Sequence, residues 1–244
     1  MGELEDSDNI ALKIRKNLKA ANDHYRGWRQ KAKEAYDFVA SKQWSDDDER
    51  ILDAQGRPAV VFNRVARTIN AVIGLELQNR QEVIYRPIVV GESGGLAELM
   101  NSAAKWVRSG CDAEDEESES FQDALICGVG ATETFMDYTS DPDGTVIIER
   151  VDPFEVVADH RSKKRNFDDA KWVARWKSYT KEEFEEMYPG VEVEGASLDL
   201  FDDAGVSEGH ADDEYKYDTG EEQPSQSRDY TVIKYQCYEE EAYY

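Results

Sequence analysis

The sequence predicts an α+β protein: a long N-terminal helix and a helical hairpin packed with a small antiparallel β-domain. Three observations predict it. Small or apolar residues recur every three or four positions from Ala11 to Val39, the spacing of one helical face. The period changes to two after Gly128. Two turn-like segments then separate four extended runs.

Residues 11–39 read as one amphipathic helix with a seam of Ala11, Ile14, Leu18, Ala21, Tyr25, Trp28, Ala32, Ala35 and Val39. The alternating steps of three and four make it heptad-like. Alanine and aromatic residues in its second half suit packing within a domain or on a neighbouring subunit, not an autonomous zipper. Lys and Arg fill the other faces. SKQWSDDDER (41–50) ends the helix, with Asp46, Asp47 and Asp48 expected in a solvated turn. Gly56 and Pro58 mark a loop. A second helix is expected from near Phe62, with Phe62, Val65, Ile69, Val72, Ile73 and Leu77 as its apolar stripe. Residues 78–91 then read as extended, with Pro87 arguing for an edge strand.

A third helix over about 95–109 would turn Leu96, Leu99, Ala103 and Trp106 inward and stop at Gly110. The acids of 112–120 suit the first turns of the next helix, where they meet the positive end of its dipole. ATETFMDY (131–138) and TVIIERV (145–151) flank a turn sequence and read as a hairpin. FEVVAD (154–159) and AKWVARWKSY (170–179) flank another turn, with Trp172, Ala174 and Trp176 on one face. Thr180 and Glu183 form a capping box for a short helix that ends at Pro189-Gly190. The organisation is therefore a mainly helical portion (1–128), an antiparallel β portion with a short helix (129–190), an acidic mobile loop (191–229) and a returning strand (230–244). That strand continues to the last residue, as in a truncated chain.

The 244 residues hold 29 Lys and Arg against 53 Asp and Glu, a formal net charge of −24. Residues 1–110 are nearly balanced, with 17 basic and 16 acidic residues, whereas 111–244 have 12 and 37. Such a balance disfavours a nucleic-acid binder that grips phosphate and a module that docks on anionic lipid. No run of about 18 apolar residues is present, so no membrane-spanning helix is expected. Cys111, Cys127 and Cys237 are few, odd in number and far apart, as expected of free thiols.

Enzymatic motifs do not assemble. The three histidines (His24, His160, His210) are far apart and no CxxC exists, so zinc lacks ligands at ordinary spacing. Gly128-Val-Gly130 is followed by Glu133 where a dinucleotide fingerprint needs glycine. Neither a phosphate-binding GxxxxGK[ST] loop nor a GxSxG elbow occurs. Thr139, Asp141 and Asp143 faintly suggest a calcium loop, but the twelfth position is Arg150, and a plain hairpin turn is favoured. Lys163-Lys164-Arg165 reads as a solvated basic tip, with contact to an acidic neighbour as the alternative. No catalytic residue, cofactor or metal site is expected.

One block is distinctive: Gln43-Trp44, a gap, then GRPAVVFNRVARTINAVIGLELQNRQEVIYRP (56–87). With the later glycine step CGVGATETFMDY (127–138) and the stretch 149–189, it resembles the N-terminal region of phage portal proteins of the short-tailed (podovirus) type. Gln43, Trp44, Gly56, Arg57, Pro58, Asn63, Gly74, Asn79, Arg80 and Pro87 carry the likeness, and it spans most of the chain from about Tyr25. It implies a structural subunit, here the N-terminal wing part, of a closed ring at one capsid vertex, dodecameric in the family. That ring is the channel for DNA packaging and ejection and joins head to tail. Implied partners are copies of itself, the major capsid protein, and terminase and head-completion or tail adaptor proteins docking through parts beyond this chain. Double-stranded DNA would pass without sequence-specific binding, and no membrane is involved. The implied setting is the virion, with the host cytoplasm during assembly.

For the motif residues a local role, in loop shape, capping and strand entry, competes with subunit contact. For Trp28, Trp44, Trp106, Trp172 and Trp176, burial within the subunit competes with anchoring a neighbour. Two other functions compete with the portal: a phage structural or adaptor protein without a DNA channel, and a magnesium-dependent hydrolase, for which no convergent carboxylate motif is found.

Overall fold

A computed structural model describes residues 2–80, 83–87, 94–138, 141–164, 166–190 and 230–238. The expected loop 191–229, the end of the last strand (239–244), Val89, Thr139 and Arg165 lie outside them. The elements are α1 (Gly2–Val39), α2 (Asp46–Ala54), α3 (Val65–Gln78), α4 (Gly94–Gly110), α5 (Ala113–Cys127), β1 (Ala131–Asp137), β2 (Thr145–Val151), β3 (Val156–Ala158), β4 (Trp172–Tyr179), α6 (Lys181–Met187) and β5 (Tyr230–Cys237). The class is α+β. They form two compact units, Met1–Lys31 with Phe154–Tyr244, and Ala32–Pro153. The position where the sequence changes period, at 128, falls inside the second unit.

In the first unit β3, β4 and β5 pair antiparallel in that order. Strand β4 alternates as its sequence demands: Trp172, Ala174 and Trp176 are buried, while Val173 and Lys177 are exposed. The seam of α1 supplies Leu18 and Ala21 to the same core, with Ile14 and Tyr25 packed against it. Trp172 stacks on Tyr235, centroids 5.4 Å apart, diagonally across the β4–β5 ladder. Asn17 donates to the Tyr235 hydroxyl at 3.0 Å. Helix α6 has the expected capping box between Thr180 and Glu183 and lays Phe184 on Tyr230, centroids 4.7 Å apart.

One residue of α1 departs from the pattern. Arg29 falls among the basic residues between the seam positions, yet it is only 3% exposed. Its guanidinium lies 4.7 Å from the Trp176 ring centroid and donates to Asn22. Nε and Nη2 have no hydrogen-bond partner, and burial lowers the pKa to about 10.

The second unit is built on α5 and the β1–β2 hairpin. The register pairs Ala131 with Val151 and Asp137 with Thr145. Gly144 N–H donates to the Asp141 carbonyl at 2.9 Å, closing a tight turn. The buried side of α5 is small and polar: Ala113, Ser118, Ser120 and Asp123. It brings the hairpin very close. A Cβ at Gly130 would lie 2.1 Å from the Ser120 carbonyl oxygen, so only glycine fits there. Arg150 on β2 donates twice to Asp123, from Nε at 2.5 Å and Nη2 at 3.0 Å, and Tyr36 adds a hydroxyl bond at 2.8 Å. Burial and the neighbouring carboxylate push the Tyr36 phenol well above its ordinary pKa. Burial works against the Arg150 cation, but the Asp123 bonds outweigh it and raise the pKa. Removing either partner would strand a buried charge, at a cost of about 3–5 kcal/mol.

Four expectations are corrected. Asp46–Asp48 begin helix α2 instead of forming a turn, because Ser45 caps it by accepting the Asp48 N–H at 3.2 Å and the acids suit its dipole. Helix α3 begins at Val65, and Phe62 lies ahead of it, 82% exposed. Residues 83–87 are not a strand; the Asn101 side chain takes both backbone groups of Tyr85, at 2.7 and 3.2 Å. Leu96, Leu99, Ala103 and Trp106 do not face inward; all are exposed, Trp106 at 76%.

Candidate assembly surface

The motif residues of 43–87 all lie in the second unit, most of them at helix ends. The junction between α1 and α3 is the densest. Helix α1 ends in a Schellman arrangement, with Lys42 N–H on the Asp37 carbonyl (2.8 Å), Ser41 N–H on Phe38 (3.3 Å) and Ser41 left-handed at φ 72°. Side chains satisfy the carbonyls left over. Asn63 Nδ2 donates to Val39 O at 2.6 Å and to Ser41 Oγ at 2.9 Å, and Gln43 Nε2 donates to Phe38 O at 3.3 Å. Asn63 Oδ1 meanwhile accepts the Ala66 N–H at 3.0 Å. One amide therefore caps the end of α1 and the start of α3. Trp44 Nε1 donates to Val60 O at 3.4 Å and ties the same junction from outside.

Gly56, Arg57 and Pro58 end α2 in the same way. Arg57 N–H reaches Leu52 O, Gly56 N–H reaches Asp53 O (both 2.9 Å), and Gly56 takes φ 67°, a conformation that favours glycine. Pro58 follows where the helix cannot continue. Asn79 closes α3, its side chain donating to Leu75 O at 2.8 Å. Arg80 then reaches across to the first turn of α5, to Glu114 at 2.8 Å and Asp115 at 2.6 Å. The same helix receives Arg108, bidentate on Glu117 at 2.6 and 2.7 Å. A cavity of about 590 Å³ is lined partly by Arg80, Asn101, Lys105, Arg108 and Glu114. Its Arg80 and Arg108 cations are matched by carboxylates of α5. Pro87 is exposed, and a Cβ at Gly74 would meet nothing within 4 Å, so nothing in the fold explains glycine there.

The structure thus brings Gln43, Trp44 and Asn63 together, groups Gly56, Arg57 and Pro58 at a second helix end, and places Asn79 and Arg80 at a third. The basic tip is organised by an acid that the sequence did not single out. Asp169 accepts from Ser162 Oγ at 2.5 Å and from the N–H groups of Lys163 and Lys164, and these bonds lower its pKa to about 2. The tryptophans divide. Trp172 and Trp176 are core, Trp28 packs on Phe154 at 6.0 Å, and Trp44 and Trp106 are exposed. Arg57, Arg64 and Arg67 are also exposed, and among the described residues none has a carboxylate within ion-pair reach. Also among the described residues, no group of three His, Cys, Asp or Glu is placed to hold a metal, and no helix is long and apolar enough to cross a membrane.

This surface is a set of rigidly capped helix ends carrying exposed aromatic and aliphatic side chains. The model of the phage P22-like portal protein family matches residues 15–243, nearly the whole chain. The chain belongs to the phage P22-like portal protein family. A search of curated proteins returned no match. The family is a structural one, and membership supports a portal role in the virion, in an oligomeric ring at the capsid vertex.

Proposed function

We propose that this chain is a structural subunit of the portal ring, the channel through which phage DNA is packaged and ejected and the joint between head and tail. The observation that carries the reading is the family match over residues 15–243. The ring is a homo-oligomer, a dodecamer as the resemblance implies, closed by head-to-tail contacts, since only heterologous interfaces close by rotation. The chain does no bond chemistry and needs no cofactor. Its partners are the major capsid protein, terminase and head-completion or tail adaptor proteins. Assembly takes place in the host cytoplasm.

DNA slides past such a ring and is not gripped by it. The acid excess of 111–244 supports this, as does the commitment of Arg80, Arg108 and Arg150 to carboxylates of α5. The test is immunogold labelling of virions with antibody to this chain. One labelled vertex per particle is expected. Labelling of every vertex, or of none in opened particles, would overturn the proposal.

A further inference from the structure

Helix α4 leaves most of its apolar arc uncovered. Leu96, Leu99, Met100, Ala103, Trp106 and Val107 occupy an arc of about 120° at 3.6 residues per turn. Its charged residues Glu98, Lys105 and Arg108 fall on the opposite side. An ordinary surface helix buries the apolar arc, but here the side that meets the rest of the unit carries Ala97, Asn101, Ala104 and Arg108, and Glu98 and Lys105 stay exposed. Asn101 holds the Tyr85 backbone and Arg108 holds Glu117. Most of the apolar arc faces out, with Leu96 62%, Leu99 64%, Met100 48% and Trp106 76% exposed and only Val107, at its edge, half-buried. It carries no charge along its length. The exposed apolar area of these four side chains is on the order of 600 Å², comparable to the ~800 Å² that one partner contributes to a standard interface, and patches this large mark interaction sites.

The same unit carries a second, different apolar surface. Around the α1–α3 junction Phe38, Trp44, Val60, Phe62 and Val65 are exposed, Phe62 at 82%, and this surface too offers on the order of 600 Å². Two unlike apolar faces of matched size on one compact unit are what a head-to-tail contact requires. We propose that the outer face of α4 is a docking site for a second copy of this chain, and that it receives the neighbour's Trp44–Val60–Phe62 edge. The proposal rests on the ring reading above and names the surfaces that would close the ring. Asn63, Gln43 and the Trp44 indole bond then fix the shape of the inserted edge, which gives the family-block residues a role in assembly without direct contact.

The test uses the full chain with the photo-crosslinking residue benzoylphenylalanine at position 106, where the exposed indole can be replaced without disturbing a core. Illumination should yield a dimer whose crosslinked peptide lies within residues 44–65. Sedimentation then compares W106E and F62E with wild type, after their circular dichroism and melting have been matched to it. Each variant should weaken self-association by at least tenfold. An equimolar mixture should form a one-to-one heterodimer and stop there, because one intact contact remains. The proposal is overturned by a wild-type chain that stays monomeric at high concentration. It is equally overturned by crosslinks to another protein or another region, or by a mixture that does not pair. If virions label at one vertex while crosslinks map elsewhere, the docking assignment fails and the portal reading stands.

Discussion

Trp176 and Arg29 are the pair on which the first unit's core turns. The Trp176 ring is 3% exposed and packs under α1 with Leu18 and Ala21. Trp176→Ala should therefore destabilise the fold by about 3–5 kcal/mol, the usual cost of deleting a buried large aromatic, read from denaturant unfolding monitored by circular dichroism. An unchanged midpoint would refute the burial. The tryptophan was legible because a strand alternates strictly and its polar neighbours mark the other face. Arg29 was not legible. Its helix position reads as polar, and the ring that accepts its cation comes from a distant strand. Asp123 was hidden for the same reason: its partners Arg150 and Tyr36 belong to other elements, and no local period announces a buried carboxylate.

At the scale of elements, the Asn63 junction is the feature with the sharpest consequence. Its amide nitrogen closes α1 and its amide oxygen opens α3. Asn63→Ala should cost about 1–2 kcal/mol, the upper range for a lost cap. Asn63→Asp keeps the acceptor for Ala66 N–H but loses the donor to Val39 O, so its melting temperature should fall below wild type as well. A fully stable aspartate variant would mean that only the α3 cap matters. Helices α1, α3, α4 and α5, the β1–β2 hairpin and the α6 cap follow from period and capping chemistry in the sequence. Helix α2 was missed although Ser45 and three aspartates satisfy the same capping and dipole rules used for 112–120. The inward face of α4 was misjudged because an apolar arc predicts burial without saying whether its own unit or another chain supplies the cover.

For the whole molecule the charge asymmetry takes on a more specific meaning. The acids of 112–120 suit the dipole of α5, and several also have partners: Glu114 and Asp115 hold Arg80, Glu117 holds Arg108, and Glu116 accepts the Arg150 N–H at 2.6 Å. Part of the negative charge thus builds the second unit. The remainder leaves a molecule unsuited to gripping phosphate, which agrees with the DNA-conducting role proposed above. Family membership was legible from an order of weak motifs, while the paired surfaces that would close a ring were not, because docking depends on which side of a helix is left uncovered. The central claim is that this gene product forms a ring with a channel, and electron microscopy of the purified full-length protein tests it most directly. Closed rings with an axial hole, about twelve subunits around, are the predicted result; monomers or small oligomers without a hole at high concentration would contradict it.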